Sequence, residues 1–208
     1  GRIPITKTWP SVDGGLFPAK AFQGEVIEFG AIAFREGHDR IAVDLLLTSP
    51  SGKTDRIKMH PGRPGLDQWL VGVQLAEIGN YSYQISAWDD EFETWLHNTE
   101  VKLKAGVDQQ LMMLEGERLL KRLAESAKGK DKKALADFAA QLVKPGTSPS
   151  ERLQSALASG LSELADRNPL RNLETLSEPR VVLCERKLAG SGAWYEFFPR
   201  SEGATKDK

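Results

Sequence analysis

From Asp67 to Lys104 apolar and polar residues alternate at period two. The apolar set runs Trp69, Val71, Val73 and Leu75, then Tyr81, Tyr83, Ile85 and Ala87, then Trp95, Val101 and Leu103. That period belongs to strands with one buried face. Gly79-Asn80 supplies a turn between the first two runs, and Asp89-Asp90-Glu91 a polar connection between the second and third. The stretch therefore predicts a three-stranded antiparallel meander. Alone it is too small to be stable, so the rest of the chain must add a second layer.

Upstream, Arg2 to Thr8, Ala19 to Phe22, Glu25 to Phe34, Ile41 to Thr48 and Arg56 to Met59 read as further strands. Val26, Phe29 or Ile27, Ile32 and Phe34 are their candidate core positions in the third of these. Ile41 to Thr48 is nearly continuously apolar, which suits a central strand. Turns fall at Ser11 to Gly15, Glu36 to Asp39, Ser49 to Gly52 and the proline-glycine loop His60 to Gly65.

At Ala105-Gly106 the period becomes helical. Asp108 opens a helix with Met112, Leu119, Leu120, Leu123 and Ala127 on one face. A second, Asp131 to Val143, carries Leu135, Phe138, Ala139 and Leu142 and stops at Pro145-Gly146. Ser148-Pro149-Ser150-Glu151 is a capping box with proline at the first helical position. It leads a helix with Leu153, Ala156, Leu157, Leu161 and Leu164, and Asn168-Pro169 opens a fourth with Leu170, Leu173 and Leu176. Four short helices make a small bundle. Strand periodicity returns after Pro179, with Val181 and Leu183 alternating with Val182 and Cys184. Gly190-Ser191-Gly192 then turns the chain into Ala193 to Phe198.

The expected fold is mainly β with an α insert: an immunoglobulin-like antiparallel β-sandwich interrupted by a small helical bundle. Residues 1–105 form the first part of the sandwich, 106–178 the inserted four-helix domain, and 179–200 the closing strands. Residues 201–208 begin a linker.

Composition changes little in that picture but excludes several functions. With 28 basic and 29 acidic residues in 208 there is no basic field for nucleic acid or an anionic membrane. No apolar run approaches the roughly 20 residues that span a bilayer. One cysteine, Cys184, rules out an internal disulfide and a multi-cysteine zinc site. These features, with no signal-peptide pattern at the start, read as a cytoplasmic protein. The chain begins at Gly1 and closes on a polar segment, as a piece of something longer would.

Candidate chemistry is sparse. Gly52-Lys53-Thr54 resembles the end of a phosphate-binding loop, but Leu47 stands where that loop needs its first glycine, so it reads as a turn. Asp89, Asp90, Glu91 and Glu93 lack the alternating ligands and glycine of a calcium loop, which leaves solvated charges. His38, His60 and His97 lie far apart, without metal-ligand spacing. Cys184, beside Glu185 and Arg186, reads as an inert buried thiol. Trp88 and Trp95 flank the acidic stretch and are candidate rings for stacking on sugar faces if exposed at a rim, and core or interface residues if not. Trp194, Tyr195, Phe197 and Phe198 make both faces of one strand apolar, so they are candidate contacts to another domain or to a second copy.

The closing GAWYEFFPRSEGA (192–204) resembles the N-terminal region of the bacterial maltosyltransferases that act on maltose 1-phosphate. So do GRIPI (1–5), VDGGLFPAK (12–20), FREGHD (34–39), GNYSYQISAWDD (79–90) with TWLH (94–97), and the insert opening AGVDQQLMMLEGERLL (105–120). The resemblance implies a parent enzyme of the α-amylase-like superfamily. It transfers maltosyl units from α-maltose 1-phosphate to α-1,4-glucan with retention, by paired carboxylates. It also implies that the catalytic barrel, which takes about 250 residues, follows this region, so no catalytic carboxylate falls within it; no metal or cofactor site is expected here either. The implied partners are a second copy of the chain and its own absent barrel. The alternative is a glucan-binding sandwich module acting through exposed Trp88 or Trp95.

Overall fold

The computed structural model describes residues 3–192 together with Glu196 and Phe198. Eight strands come first: β1 (Ile5–Trp9), β2 (Ala19–Phe22), β3 (Val26–Ala33), β4 (Ile41–Thr48), β5 (Thr54–Lys58), β6 (His60–Pro61), β7 (Gln68–Gln74) and β8 (Gly79–Asp89). Five helices follow: α1 (Glu91–Ala105), α2 (Gln109–Ser126), α3 (Gly129–Val143), α4 (Pro149–Ala158) and α5 (Leu161–Arg167). The chain then returns to β9 (Asn172–Leu176), β10 (Arg180–Glu185) and a 3₁₀ turn at Lys187–Gly190. Helix and strand hold comparable shares of the chain, so the class is mixed α and β rather than mainly β.

The strands form two mostly antiparallel sheets. One has the order β1-β3-β7-β6, the other β2-β10-β8-β4-β5, in which β2 and β10 run parallel. Both sheets feed one hydrophobic cluster. Phe29, Ala31 and Ala33 come from the first, Val43, Leu45, Tyr81, Tyr83, Ile85, Val182 and Cys184 from the second. Phe29 meets Tyr83 edge to face at 5.1 Å between centroids, a geometry worth about 1 kcal/mol beyond the buried area. The parity of β3 settles which of its candidates reach the core. Phe29 is fully buried, Val26 is 65% exposed and Phe34 projects outward.

The meander expected between Asp67 and Lys104 does not form, for two reasons. β7 and β8 alternate as expected but sit in different sheets, β7 between β3 and β6 and β8 between β4 and β10. Residues 75–78 carry the chain from one layer to the other, and Gly79-Asn80, expected as the turn, are the first residues of β8, paired with Cys184 and Leu183 of β10. Alternation fixes which face is buried and is silent on the strand's neighbour. The run through Trp95, Val101 and Leu103 is helix α1, whose buried residues Phe92, Trp95 and Thr99 follow helical spacing. Asp90 caps it by accepting the Glu93 N–H at 3.0 Å. Gly106, at φ 72°, ends it with its N–H on Leu103 O and the Val107 N–H on Lys102 O, a Schellman closure.

The helical core is a second cluster, with Leu120, Leu135, Ala139, Leu142, Ala156 and Leu161 fully buried. Among the described residues the α-helices begin at Glu91, not at 106, and number five. Gly160, at φ 89°, breaks the run after Ser148 into α4 and α5. Ser148 and Glu151 make the reciprocal capping box the sequence predicts. Leu170, Leu173 and Leu176, spaced as a helix would have them, do not form one. Residues Asn172–Leu176 are β9, which pairs with Ser86 to Asp89 of β8. β8 is long enough to take β10 along Gly79 to Tyr83 and β9 beyond it. Ladder bonds to that free length outweigh a weak local spacing signal.

Candidate functional site

The helices meet the second sheet on its outer face. Because side chains alternate, Ala42 and Asp44 of β4 and Ser86 and Trp88 of β8 point away from the sheet–sheet core and toward the helices. Ala42, Asp44 and Trp88 line a cleft of about 180 Å³ with Arg56, Lys58, Phe92, Leu119, Asp166 and Arg171.

A polar network crosses this seam. Asp44, 4% exposed, receives Arg56 Nη1 at 3.2 Å and Arg171 Nη2 at 3.5 Å on one carboxylate oxygen. The same Arg56 nitrogen donates to Ser86 Oγ at 3.1 Å, and its Nη2 donates to Glu174 at 3.2 Å. Arg171 also lies over the Trp88 ring, 5.0 Å from its centroid. At the rim, Lys58 pairs with Asp166 at 2.7 Å, and Arg122 grips Glu91 with two hydrogen bonds of 2.7 and 3.1 Å. Asn172 donates to the same Glu91. The Arg122 bonds, with that of Asn172, hold the Glu91 carboxyl below its ordinary range. Burial pushes Asp90 the other way, above it. Each strong cation here already has a carboxylate partner, so the seam is built to hold two layers in register, not to move protons.

The other candidates fall elsewhere. Trp88 and Trp95 are 4% and 6% exposed. Trp95 donates its indole N–H to Met112 O at 2.8 Å, and its ring fills the notch over Gly116. Neither offers a ring face to solvent, so the sugar-stacking role expected of them if exposed has no surface to act on. His60 and His97, distant in sequence, line one groove of about 890 Å³ with Arg40, Arg63 and Trp69; His38 is not part of it. Cys184 is buried at β10, where burial raises its thiol pKa. Trp194, Tyr195 and Phe197 lie outside the described residues, and Phe198 is 72% exposed. The seam residues Asp44, Arg56, Glu174 and Arg171 escaped sequence reasoning. Asp44, a lone charge within the apolar run Ile41 to Thr48, was the signal that could have found them.

The sequence profile of the alpha-1,4-glucan:maltose-1-phosphate maltosyltransferase domain N/S matches residues 1–186. The chain belongs to this domain N/S family. Among curated relatives, maltosyltransferases 1 and 2 of Streptomyces coelicolor are each 40% identical over 205 residues, 98% of this chain. The maltosyltransferase of Mycobacterium tuberculosis is 33% identical over 233 residues, all of this chain. The chain spans only about 30% of the length of these relatives, 30% of the first and 33% of the last. It is similar to their N-terminal region. For a domain N/S chain the seam is thus the contact between the strand-built and helix-built parts of one region.

Proposed function

We propose that this chain is the non-catalytic N-terminal region of a maltosyltransferase that moves maltosyl units from α-maltose 1-phosphate onto α-1,4-glucan in the cytoplasm. The carrying observation is the domain N/S match over nearly the whole chain, combined with its coverage of under a third of the relatives' length. The described residues form two mostly antiparallel sheets and five helices, a different architecture from a parallel (β/α)₈ barrel. The chemistry is therefore assigned to the remainder of the parent polypeptide.

In this reading the region is an immunoglobulin-like sandwich whose last strands follow a helical insert spanning Glu91–Arg167. It serves assembly and the support of the active site. A second copy of the chain is the partner for the α1–α2 hairpin, where Val101, Val107, Leu111 and Leu114 are each about half exposed. Two measurements test this. The intact polypeptide should release phosphate from α-maltose 1-phosphate and lengthen glycogen, while residues 1–208 alone do neither. Light scattering should give twice the polypeptide mass, falling to one copy for Leu111→Asp/Leu114→Asp. A monomeric wild type removes the assembly role.

A further inference from the structure

The geometry points to the open edge of β2 as the surface on which the portion of polypeptide following this region docks. Among the described residues β2 pairs with another strand on one side only, β10; on its other side Phe22 bonds only to Glu25 of the turn that follows, and the edge is open at Lys20. Native proteins cover, charge or bend such edges. Lys20 is the one charge on the strand, and its ammonium leans back to Glu185 of β10 at 3.3 Å.

Exposed apolar side chains stand at both ends of that edge. At its start the turn held by the Val12–Phe17 bridge presents Leu16 at 78% and Phe17 at 60% exposure. At its finish the 3₁₀ turn Lys187–Gly190 presents Leu188 at 70%. An open edge flanked by large apolar residues buries them only when something lies along it. The path of the chain names the occupant. After β10 it crosses the end of β2, with Gly190 so close to Phe22 that a Cβ there would lie 2.5 Å from the ring. The continuous described stretch therefore ends, at Gly192, near the finish of this edge, and relatives are about three times this chain's length. A domain that follows needs no long linker to reach Leu16, Phe17 and Leu188. This inference rests on the reading that a catalytic portion follows, and it adds which surface receives it.

Hydrogen exchange on the intact polypeptide, read at single residues, tests it. Gln23 donates its N–H to Glu185 O, so by alternation the Lys20 N–H points away from β10. In wild type the Lys20 amide should exchange about 100-fold more slowly than an open edge allows, and that protection should survive dilution to single copies. Phe17→Glu/Leu188→Glu should abolish it and leave the β4 and β8 amides unchanged. Rapid exchange of Lys20 in wild type overturns the proposal, and so does protection that vanishes on dilution, which would mean a second copy covers the edge. The wild-type measurement stands even if the double variant fails to fold. Phosphate release assayed on the same sample separates the two readings. Protection without maltosyl transfer sinks only the reaction, and transfer without protection sinks only the docking surface.

Discussion

Gly116 sets two physical rules against each other, and replacing it with alanine shows which governs the helical core. It lies in the middle of α2, where helix propensity alone favours alanine by about 1 kcal/mol. Packing says the opposite. A Cβ on Gly116 would sit 2.2 Å from Trp95 Cζ2 and 2.9 Å from Leu142 Cδ1, both below any tolerable contact. The indole cannot simply slide aside, because its N–H is tied to Met112 O at 2.8 Å. Leu142 is fully buried and has no vacant space to enter. Overpacking costs about 1–3 kcal/mol, and a buried indole N–H torn from its acceptor about 1–3 more. After subtracting the propensity gain, Gly116→Ala should destabilise the chain by about 1–5 kcal/mol. Urea denaturation followed by far-UV circular dichroism reads this, with tryptophan emission as a second probe. Trp95→Phe removes the atoms that clash, so a double-mutant cycle should return a coupling of about 1–3 kcal/mol. A Gly116→Ala variant as stable as the parent, or more so, would refute the packing argument.

Two further outcomes concern the seam. Asp44→Ala leaves Arg56 and Arg171 facing each other without their shared carboxylate. Breaking a buried pair costs about 3–5 kcal/mol, but both arginines are about one-third exposed, so the expected loss in the same urea assay is nearer 2 kcal/mol. A loss under about 0.5 kcal/mol would mean water already screens the network. Asp90 has its carboxyl pKa raised, chiefly by burial. Ionising it therefore costs the folded state, and this penalty is absent below the unfolded carboxylate pKa and complete once pH passes the folded value. Asp90→Asn keeps a good helix cap, so it should stabilise the chain at neutral pH and lose that advantage as pH falls into the carboxylate range. An advantage independent of pH in denaturation curves from pH 3 to 7 would assign the effect to something other than charge.

Much of the chain was decided locally, and those parts were legible. Alternation marked the buried faces of β7 and β8, a continuous apolar run marked β4 as a central strand, the Ser148 box opened α4, and the faces of α2 and α3 were set by apolar residues three and four apart. Each depends on residues within a few positions of one another, so the sequence alone determines them. The sequence motifs also carried the family.

Tertiary structure decided what depends on distant partners. Phe92, Trp95 and Thr99 make a helix because α2 offers them a face, and Asn172–Leu176 make a strand because β8 has ladder groups to satisfy. The same holds for which sheet received β7 and which received β8, and for the meeting of Asp44 with Arg171, 127 positions later. Side-chain periodicity is a property of one segment. A hydrogen-bond ladder or an ion pair belongs to two, and only the folded chain brings the second one near.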